Sequence, residues 1–342
     1  MSNQLGFFDI QDKYEALSRF GDPLEKMHKM VPWTTFRKPL KKALNRKKNG
    51  LGGRPPYDDV LMFKVLVLQA LYNLSDDQTE YQIRDRLSFM RFLGLDMEAR
   101  VPDAKTIWLF RETLAQAGAV EKLFARFDRY LGEQGLMASG GQIIDASIIP
   151  VPRQRNKREE NDAIKAGETP PEWEKDKAKL RQKDITARWT MKNKQTYYGY
   201  KNHIDVDNKH KMIRHYHVTE ASLHDTKAFD NVFDAKNKSK DVWADGAYRT
   251  AEREEKLKTQ GYRSHIHYKG TRGHPLSKAK QQTNTNRSKV RVRVEHIFGR
   301  QHAMGGKLMR SIGINRAKAN IGIKNLVYNL QRYVFLCRTA PA

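Results

Sequence analysis

Gln142-Ile143-Ile144-Asp145-Ala146-Ser147-Ile148-Ile149 is the stretch on which the reading of this chain turns. It is apolar and β-branched, which reads as a strand, and it follows Gly140-Gly141, where the helical spacing of the upstream sequence stops. An aspartate among isoleucines is costly to bury without a partner. Asp145 is therefore either a hydrogen-bonded structural residue at a strand end or a metal ligand whose cation offsets the cost of burial.

Downstream, Tyr197 to Val206 and Met212 to Thr219 alternate as two strands around an Asp207-Asn208 turn. A helix is expected from about Asp225, a strand over Asp241 to Ala244, a helix over Thr250 to Thr259, a strand over Arg263 to His267, and a helix from about Asn286 through Glu295. This order of elements predicts an α/β domain, a mixed five-stranded sheet flanked by helices. Residues from about 151 to 190 are charged, contain Pro170-Pro171 and are poor in apolar side chains, and read as a mobile insertion.

Upstream of the first strand the spacing is helical. One helix is expected over about 11 to 30, another from Val60 behind Asp58 or Asp59, with Leu61, Val65, Leu68 and Tyr72 on its buried face. Two more follow, from about Gln78 to Gly94 and from Asp103 with Ile107, Phe110 and Leu114 on one side. Such a run of short helices reads either as a helix-turn-helix DNA reader or as a helical dimerisation scaffold. From His28 to Tyr57 there is no acidic residue, and Arg37, Lys41, Arg46, Lys47 and Arg54 lie in it. This is a basic arm that contacts DNA, or a solvated linker broken by Gly50, Gly52, Gly53, Pro55 and Pro56. The domains expected are 1–135, all-α, and 136–342, α/β.

The formal net charge of the 342-residue chain is +25, which calls for a polyanionic partner. Nucleic acid is the first choice, because no apolar run approaches the roughly 18 residues of a spanning helix. The stretch Met1 to Asp9 lacks a basic leader followed by an apolar run, so no secretion signal is expected. A single cysteine, Cys337, leaves no internal disulfide and no multi-cysteine zinc site, and fits a cytoplasmic, nucleoid-associated protein. His215 with His217, and His265 with His267, read as surface strand positions. Trp189 and Tyr197 border the insertion and read as packing residues that could stack on an unpaired base.

Two further carboxylates join Asp145. Asp245 ends the strand Val242-Trp243-Ala244, before Gly246, and strand ends in open sheets collect ligands. Glu295 is the only acidic residue after Glu255, and it stands alone among fourteen Lys and Arg from Lys269 through Lys324. It is either the helix partner of Arg291, four residues earlier, or a ligand for a cation beside phosphate. Carboxylates are hard ligands suited to Mg²⁺ or Mn²⁺, and two such ions can clamp a phosphodiester.

The same residues carry a resemblance. Gly53-Arg54-Pro55-Pro56-Tyr57, Tyr72-Asn73-Leu74-Ser75-Asp76, Phe92-Leu93-Gly94-Leu95 and Val101-Pro102-Asp103-Ala104-Lys105-Thr106-Ile107 with Phe110-Arg111 come first. Ile144-Asp145-Ala146-Ser147, Tyr198-Gly199-Tyr200-Lys201-Asn202-His203, Ser222-Leu223-His224-Asp225 and Ala244-Asp245-Gly246-Ala247-Tyr248 follow in order. Val294-Glu295-His296-Ile297-Phe298-Gly299 and Asn325-Leu326-Val327-Tyr328-Asn329-Leu330 complete the set. Over about residues 54 to 336 the chain resembles insertion-sequence transposases of the DDE type, in the family whose type element is insertion sequence five.

That resemblance implies an RNase H-like core in which Asp145, Asp245 and Glu295 bind two Mg²⁺ or Mn²⁺ ions. It also implies binding of terminal inverted repeats, cleavage at the element ends, joining of 3′ ends to target DNA, and a homodimer on paired ends. The family's last motif places tyrosine, arginine, glutamate and lysine in fixed order; here Ser288 stands for the tyrosine and His302 for the lysine, while Arg291 and Glu295 keep their places. Lys201, His203, Arg249, Arg291 and His302 are the expected DNA contacts of the core. The rival readings are a catalytically silent DNA-binding protein and an RNase H-like nuclease that only hydrolyses DNA. The presence of all three carboxylates argues against the first, and the large basic N-terminal portion against the second.

Overall fold

Caps and glycines set where the N-terminal helices begin and end. The computed structural model describes residues 9–45, 55–271 and 273–339, so the expected contacts Arg46, Lys47 and Arg54 lie outside the described residues. The expected helix over 11–30 is two: α1 (Asp9–Arg19) and α2 (Pro23–Met30), divided at Gly21, whose φ is +84°. Asp22 caps α2 by accepting from the Leu24 amide. The basic stretch is in part helical, α3 (Arg37–Leu44), because Trp33, Phe36 and Leu40 bury one side of it while Arg37 and Lys41 face solvent.

Asp58 caps α4 (Asp59–Tyr72) through the amides of Val60 and Leu61. This helix is buried nearly all round, from Met62 to Leu68, rather than on the single face the spacing predicted. Within it Lys64 is buried, donates to the Phe92 carbonyl at 3.2 Å, and is pushed down to about 8 by desolvation. The helix expected over 78–94 is also two, α5 (Asp76–Asp85) behind a Ser75–Gln78 capping box and α6 (Leu87–Leu93), because Arg86 takes an extended conformation between them. Asp103 caps α7 (Ala104–Gln116), and α8 (Ala119–Glu133) follows.

The second half of the chain runs β1 (Gln142–Pro150), α9 (Arg158–Ala166), α10 (Pro171–Lys175), α11 (Lys177–Gln182), β2 (Arg188–Lys192), β3 (Gln195–Asp207) and β4 (Ile213–Glu220). It continues through α12 (Asp225–Val232), β5 (Asp241–Ala244), α13 (Ala251–Thr259), β6 (Arg263–Ile266), α14 (Lys278–Gln301) and α15 (Ile314–Thr339). The five expected strands are all present, and β2 makes six. The order is β2-β3-β1-β5-β6 with β4 also on β3; β1, β5 and β6 run parallel to one another and β3 is antiparallel to β1, β2 and β4. This is the mixed sheet flanked by helices that the sequence predicts, behind a helical N-terminal region.

Compactness divides the chain differently from the expected boundary at 135/136. One unit comprises the residues up to Phe127 together with those from Asn329 onward, and the other comprises Asp128–Tyr328. The end of α15 therefore belongs with the N-terminal helices, where the Tyr333 ring meets that of Phe127 at 5.9 Å.

Register sorts the sheet's side chains onto two faces. Ile144, Ala146 and Ile148 of β1 pair with Asp205, His203 and Lys201 of β3, and this face, with Val242 and Ala244 of β5, packs on Phe229, Val232 and Leu257. Asp145 pairs with Ile204 and so takes the other face, with Tyr200, Asn202 and Val218. There Tyr200 and Val218 pack with Ala317 and Ile321 of α15. Gly199 is required by close approach: a Cβ there would sit 2.3 Å from the Ile149 carbonyl oxygen.

The stretch 151–190 holds three short helices rather than structureless chain. Trp173 is fully buried; its indole N–H donates to Glu160 at 2.7 Å, and Lys179 donates to the same carboxylate at 3.0 Å. Trp173, with Ile164, supplies apolar area that the charged composition concealed.

Candidate active site

Parallel register brings two of the three expected carboxylates together. Ile144 lies opposite Ala244, the last pair between β1 and β5, so the next residues on these neighbouring strands are Asp145, within β1, and Asp245, just past the end of β5. Asp145 accepts from the Ala146 amide at 2.8 Å and from an Arg291 Nη at 2.6 Å. Burial raises its proton affinity above the ordinary aspartate range; Arg291 opposes that shift and the Asp245 charge adds to it. Asp245 is exposed, and its side chain accepts from the Ala247 amide at 3.3 Å, capping the turn Gly246–Tyr248.

Glu295 lies on α14, one turn beyond Arg291 and on the same side of the helix, and is exposed. The partner Arg291 takes is Asp145, not Glu295, so the helix pair considered as an alternative gives way to a tertiary one. Among the described residues no three His, Cys, Asp or Glu side chains converge closely enough to hold a metal ion. The site thus consists of two adjacent aspartates, an arginine across one of them, and a glutamate one turn away on the arginine's helix.

Two neighbours of this site lie outside the expected site residues, and one of them, His267, is expected at a surface strand position but is half-buried just past β6. His267 follows Ile266, which pairs with Ala244, and its amide donates to the Ala244 carbonyl at 3.1 Å. It therefore stands at the end of the third parallel strand, beside Asp245. Burial lowers its proton affinity, with Arg291 adding to the shift and Asp245 opposing it. Ser288, in the place of the family's tyrosine, comes within 3.5 Å of this imidazole. Tyr248, three residues after Asp245, is buried with no hydrogen-bond partner for its hydroxyl among the described residues. Following the parallel register from Asp245 to the next strand would have found His267; Tyr248 closes the motif Ala244-Asp245-Gly246-Ala247-Tyr248, but nothing in that pattern marks its hydroxyl as buried.

The other expected contacts are distributed more widely. Lys201 and His203 are buried on the face opposite Asp145. Lys201 donates to Asp225 at 2.8 Å and to the Leu223 carbonyl at 2.7 Å. His203 meets Thr219 at 3.0 Å, and burial pushes it down to about 4, so at neutral pH it carries no charge. Arg249 is half-buried, donates to the Ile266 carbonyl at 2.7 Å and Glu254 at 2.8 Å, and stacks on Tyr268. His302 is half-buried at the start of the turn His302–Gly306 after α14. Arg37 is exposed and paired with Asp58 at 2.5 Å, and Lys41 is exposed. The motif residue Asn202 bonds to Asn325 at 2.9 Å, and Gln301 bonds to Asn325 at 2.6 Å, which fixes α14 against β3 and α15.

A mixed sheet with aspartates next to one another on neighbouring strands, in a chain of net charge +25, suits a protein that handles a polyanion. The comparisons with known proteins specify which. Residues 138–330 match the family described as Transposase DDE domain, and residues 12–113 match that described as Transposase domain (DUF772). The chain belongs to the DDE transposase family and is a DNA transposase. Among solved structures it is similar to a piggyBac transposase described as a synaptic complex with hairpin DNA, at 12% identity, over 94% of this chain and 82% of that one, with a TM-score of 0.42. Among the described residues no helix is long and apolar enough to cross a membrane.

Proposed function

We propose that this transposase binds the terminal inverted repeats of an insertion sequence, cleaves at the element ends and joins the 3′ ends to target DNA. Asp145, Asp245 and Glu295 are its catalytic carboxylates, acting with two divalent ions, Mg²⁺ or Mn²⁺. The observation that carries this reading is the register that seats Asp145 beside Asp245.

The residues suit such ions in type. Carboxylate oxygens are hard donors. Asp145 is buried enough to hold its proton more tightly than an ordinary aspartate, even with Arg291 against it. A cation would offset that cost. When bound, the ions supply activation of the attacking oxygen and charge stabilisation of the leaving one.

The chain's own residues do the rest. Asp145 is held within β1, paired with β3 on both sides of it, and Asp245 follows the last residue of β5. Arg291 orients Asp145 through its 2.6 Å bond and brings a positive charge to the place where phosphate must lie. Glu295 completes the set by approach of its exposed side chain from α14. Exposed Lys41 and Arg37, with Arg46, Lys47 and Arg54, attract the DNA beyond the site, and His302 extends the contact from the end of α14. Lys201, His203 and Arg249 act through the fold, by holding α12 and the strand ends, and two protomers hold the paired ends.

Incubation of the full chain with labelled element ends in Mg²⁺ and in Mn²⁺, resolved on a denaturing gel, tests the proposal. Joined products support it. Cleavage without joining would convert the reading to a hydrolytic nuclease, and binding without cleavage to a silent DNA-binding protein.

A further inference from the structure

The β2–β3 hairpin runs past the rest of the sheet. β1 pairs with β3 only as far as Gly199 and β4 only as far as Tyr200, whereas β2 pairs with Gln195 through Gly199. Beyond Gly199 these two strands form a ribbon of their own. Its base is anchored. Arg188 donates to the Ile164 carbonyl at 2.6 Å, the Val151 amide to the Tyr198 carbonyl at 2.9 Å, and Arg153 to the Thr196 carbonyl at 3.2 Å. Register puts Trp189, Met191 and Thr196 on the face of Tyr198, where the indole meets the Tyr198 ring at 5.1 Å and the Arg153 guanidinium at 5.7 Å. Tyr198 points to the same side of β3 as Ile204, the partner of Asp145, and lies about 20 Å of strand away from it.

Packing within the chain does not account for what the ribbon carries. Every residue from Met191 through Thr196 is exposed, and Met191 stands 71% and Trp189 44% open to solvent. Lys192 and Lys194 pair with no carboxylate among the described residues. Lys194 is the second residue of the tight Asn193-Lys194 turn and takes a φ of +63°, a conformation glycine would adopt without strain. Turn geometry therefore does not explain a cation at the tip. The surroundings have one sign. No acidic residue occurs from Ile185 through Ile204, nor from Ala146 through Arg158, the stretch that carries exposed Arg153 and Arg155 along the ribbon's base.

We propose that the β2–β3 ribbon is a DNA-gripping element that enters the major groove of a duplex, with Lys192, Lys194 and Arg153 on phosphates and the Trp189 and Met191 side chains against base edges. The major groove, about 12 Å wide, admits a two-stranded ribbon. An acid-free cationic tip complements the phosphates, and the apolar face gains cover it lacks in the chain alone. Because the ribbon is paired and anchored before binding, little freedom is lost on docking. The lysines add affinity without sequence information, while the Trp189 face meets the bases. The inference rests on the chain being a DNA transposase, and not on Asp145, Asp245 and Glu295 being metal ligands.

The test is gel-shift titration of a labelled duplex with the full chain across a salt series, with sedimentation measured on the same proteins. The parent is compared with Lys192→Gln/Lys194→Gln and with Lys256→Gln/Lys258→Gln, which removes the same charge from exposed positions on α13. The ribbon variant is expected to bind more weakly and to lower the slope of log affinity against log salt by about two units, with the α13 variant close to the parent. Met191→Ser keeps the charge and is expected to weaken binding by about tenfold at an unchanged slope, through lost apolar contact. Equal slopes in the parent and the ribbon variant, or equal losses in the two double variants, overturn the inference. Parent-like affinity of Met191→Ser overturns groove insertion. Parent-like DNA binding with altered self-association in the ribbon variant overturns it in favour of a second copy of the chain as the partner. Cleavage of element ends is scored separately, so failure of the carboxylate chemistry leaves these outcomes readable.

Discussion

Glu295 is exposed and makes no ion pair among the described residues, so its replacement by Gln should leave the fold almost untouched, within about 0.5 kcal/mol. If it is a metal ligand, cleavage of labelled element ends should fall by roughly 100-fold or more. DNA affinity should stay equal or rise, because a charge that repels phosphate has gone. Full cleavage by Glu295→Gln would remove the residue from the site. Asp205 invites a different experiment. It is completely buried, neither carboxyl oxygen has a well-formed hydrogen bond among the described residues, and burial together with Asp234 and Asp207 raises its proton affinity well above normal, with Arg214 opposing. The sign follows from linkage: the folded chain holds this proton more tightly than the unfolded one. Its stabilising contribution is therefore complete below the unfolded value of about 3.9 and is lost as pH rises through the folded value, at up to about 1.4 kcal/mol per pH unit. Asp205→Asn should remove that loss, so its melting temperature should exceed the parent's at pH 8 and the gap should close towards pH 4. A gap independent of pH would show that Asp205 is not the titrating group.

Among the elements, what the sequence showed and what it hid separate by where the determining interactions lie. β1, β3, β4, β5 and β6 are legible because each carries its own apolar or alternating pattern. Arg188-Trp189-Thr190-Met191-Lys192 has no buried residue and becomes β2 only through pairing with β3, so no local pattern announces it. Arg86 divides α5 from α6 without glycine or proline, again by tertiary context. At the site, Asp145 can be read as an acid within a strand and Asp245 as one at a strand end, whereas the Arg291 bond and the Tyr248 hydroxyl appear only once α14 and the turn after β5 are in place. The segment from α9 to α11 is the sharpest departure, with Trp173 its largest fully buried side chain. Trp173→Ala should destabilise this segment by about 3–5 kcal/mol. Limited proteolysis should then cut within 151–190 far faster than in the parent, while circular dichroism of the whole chain changes little. Equal cutting rates would mean that the helices are held by something other than Trp173.

At the scale of the whole molecule, charge and chain path make separate demands. The compact N-terminal unit includes residues from Asn329 onward, so a fragment of residues 1–135 lacks part of its own packing, including the Tyr333 ring against Phe127. That fragment should melt well below the parent, and joining 329–339 to it through a flexible linker should recover cooperative unfolding; cooperative melting of the bare fragment would contradict the division. The net charge of +25 predicts the behaviour on DNA. Each phosphate neutralised releases condensed counterions, giving a slope of about −0.9 in log affinity against log salt. The fourteen Lys and Arg from Lys269 through Lys324 flank a single acid, so this C-terminal stretch should contribute to the slope as well as the basic N-terminal residues. Charge neutralisation at exposed Lys41 should weaken binding to all duplex sequences alike and reduce the slope by about one unit, because a phosphate contact carries no base information. Neutralising Lys201, whose ammonium is buried against Asp225, should leave the slope unchanged and show its effect in unfolding instead. Gel-shift titrations across a salt series would measure both, and a slope that falls with Lys201 but not with Lys41 would reverse the assignment of which cations face the DNA.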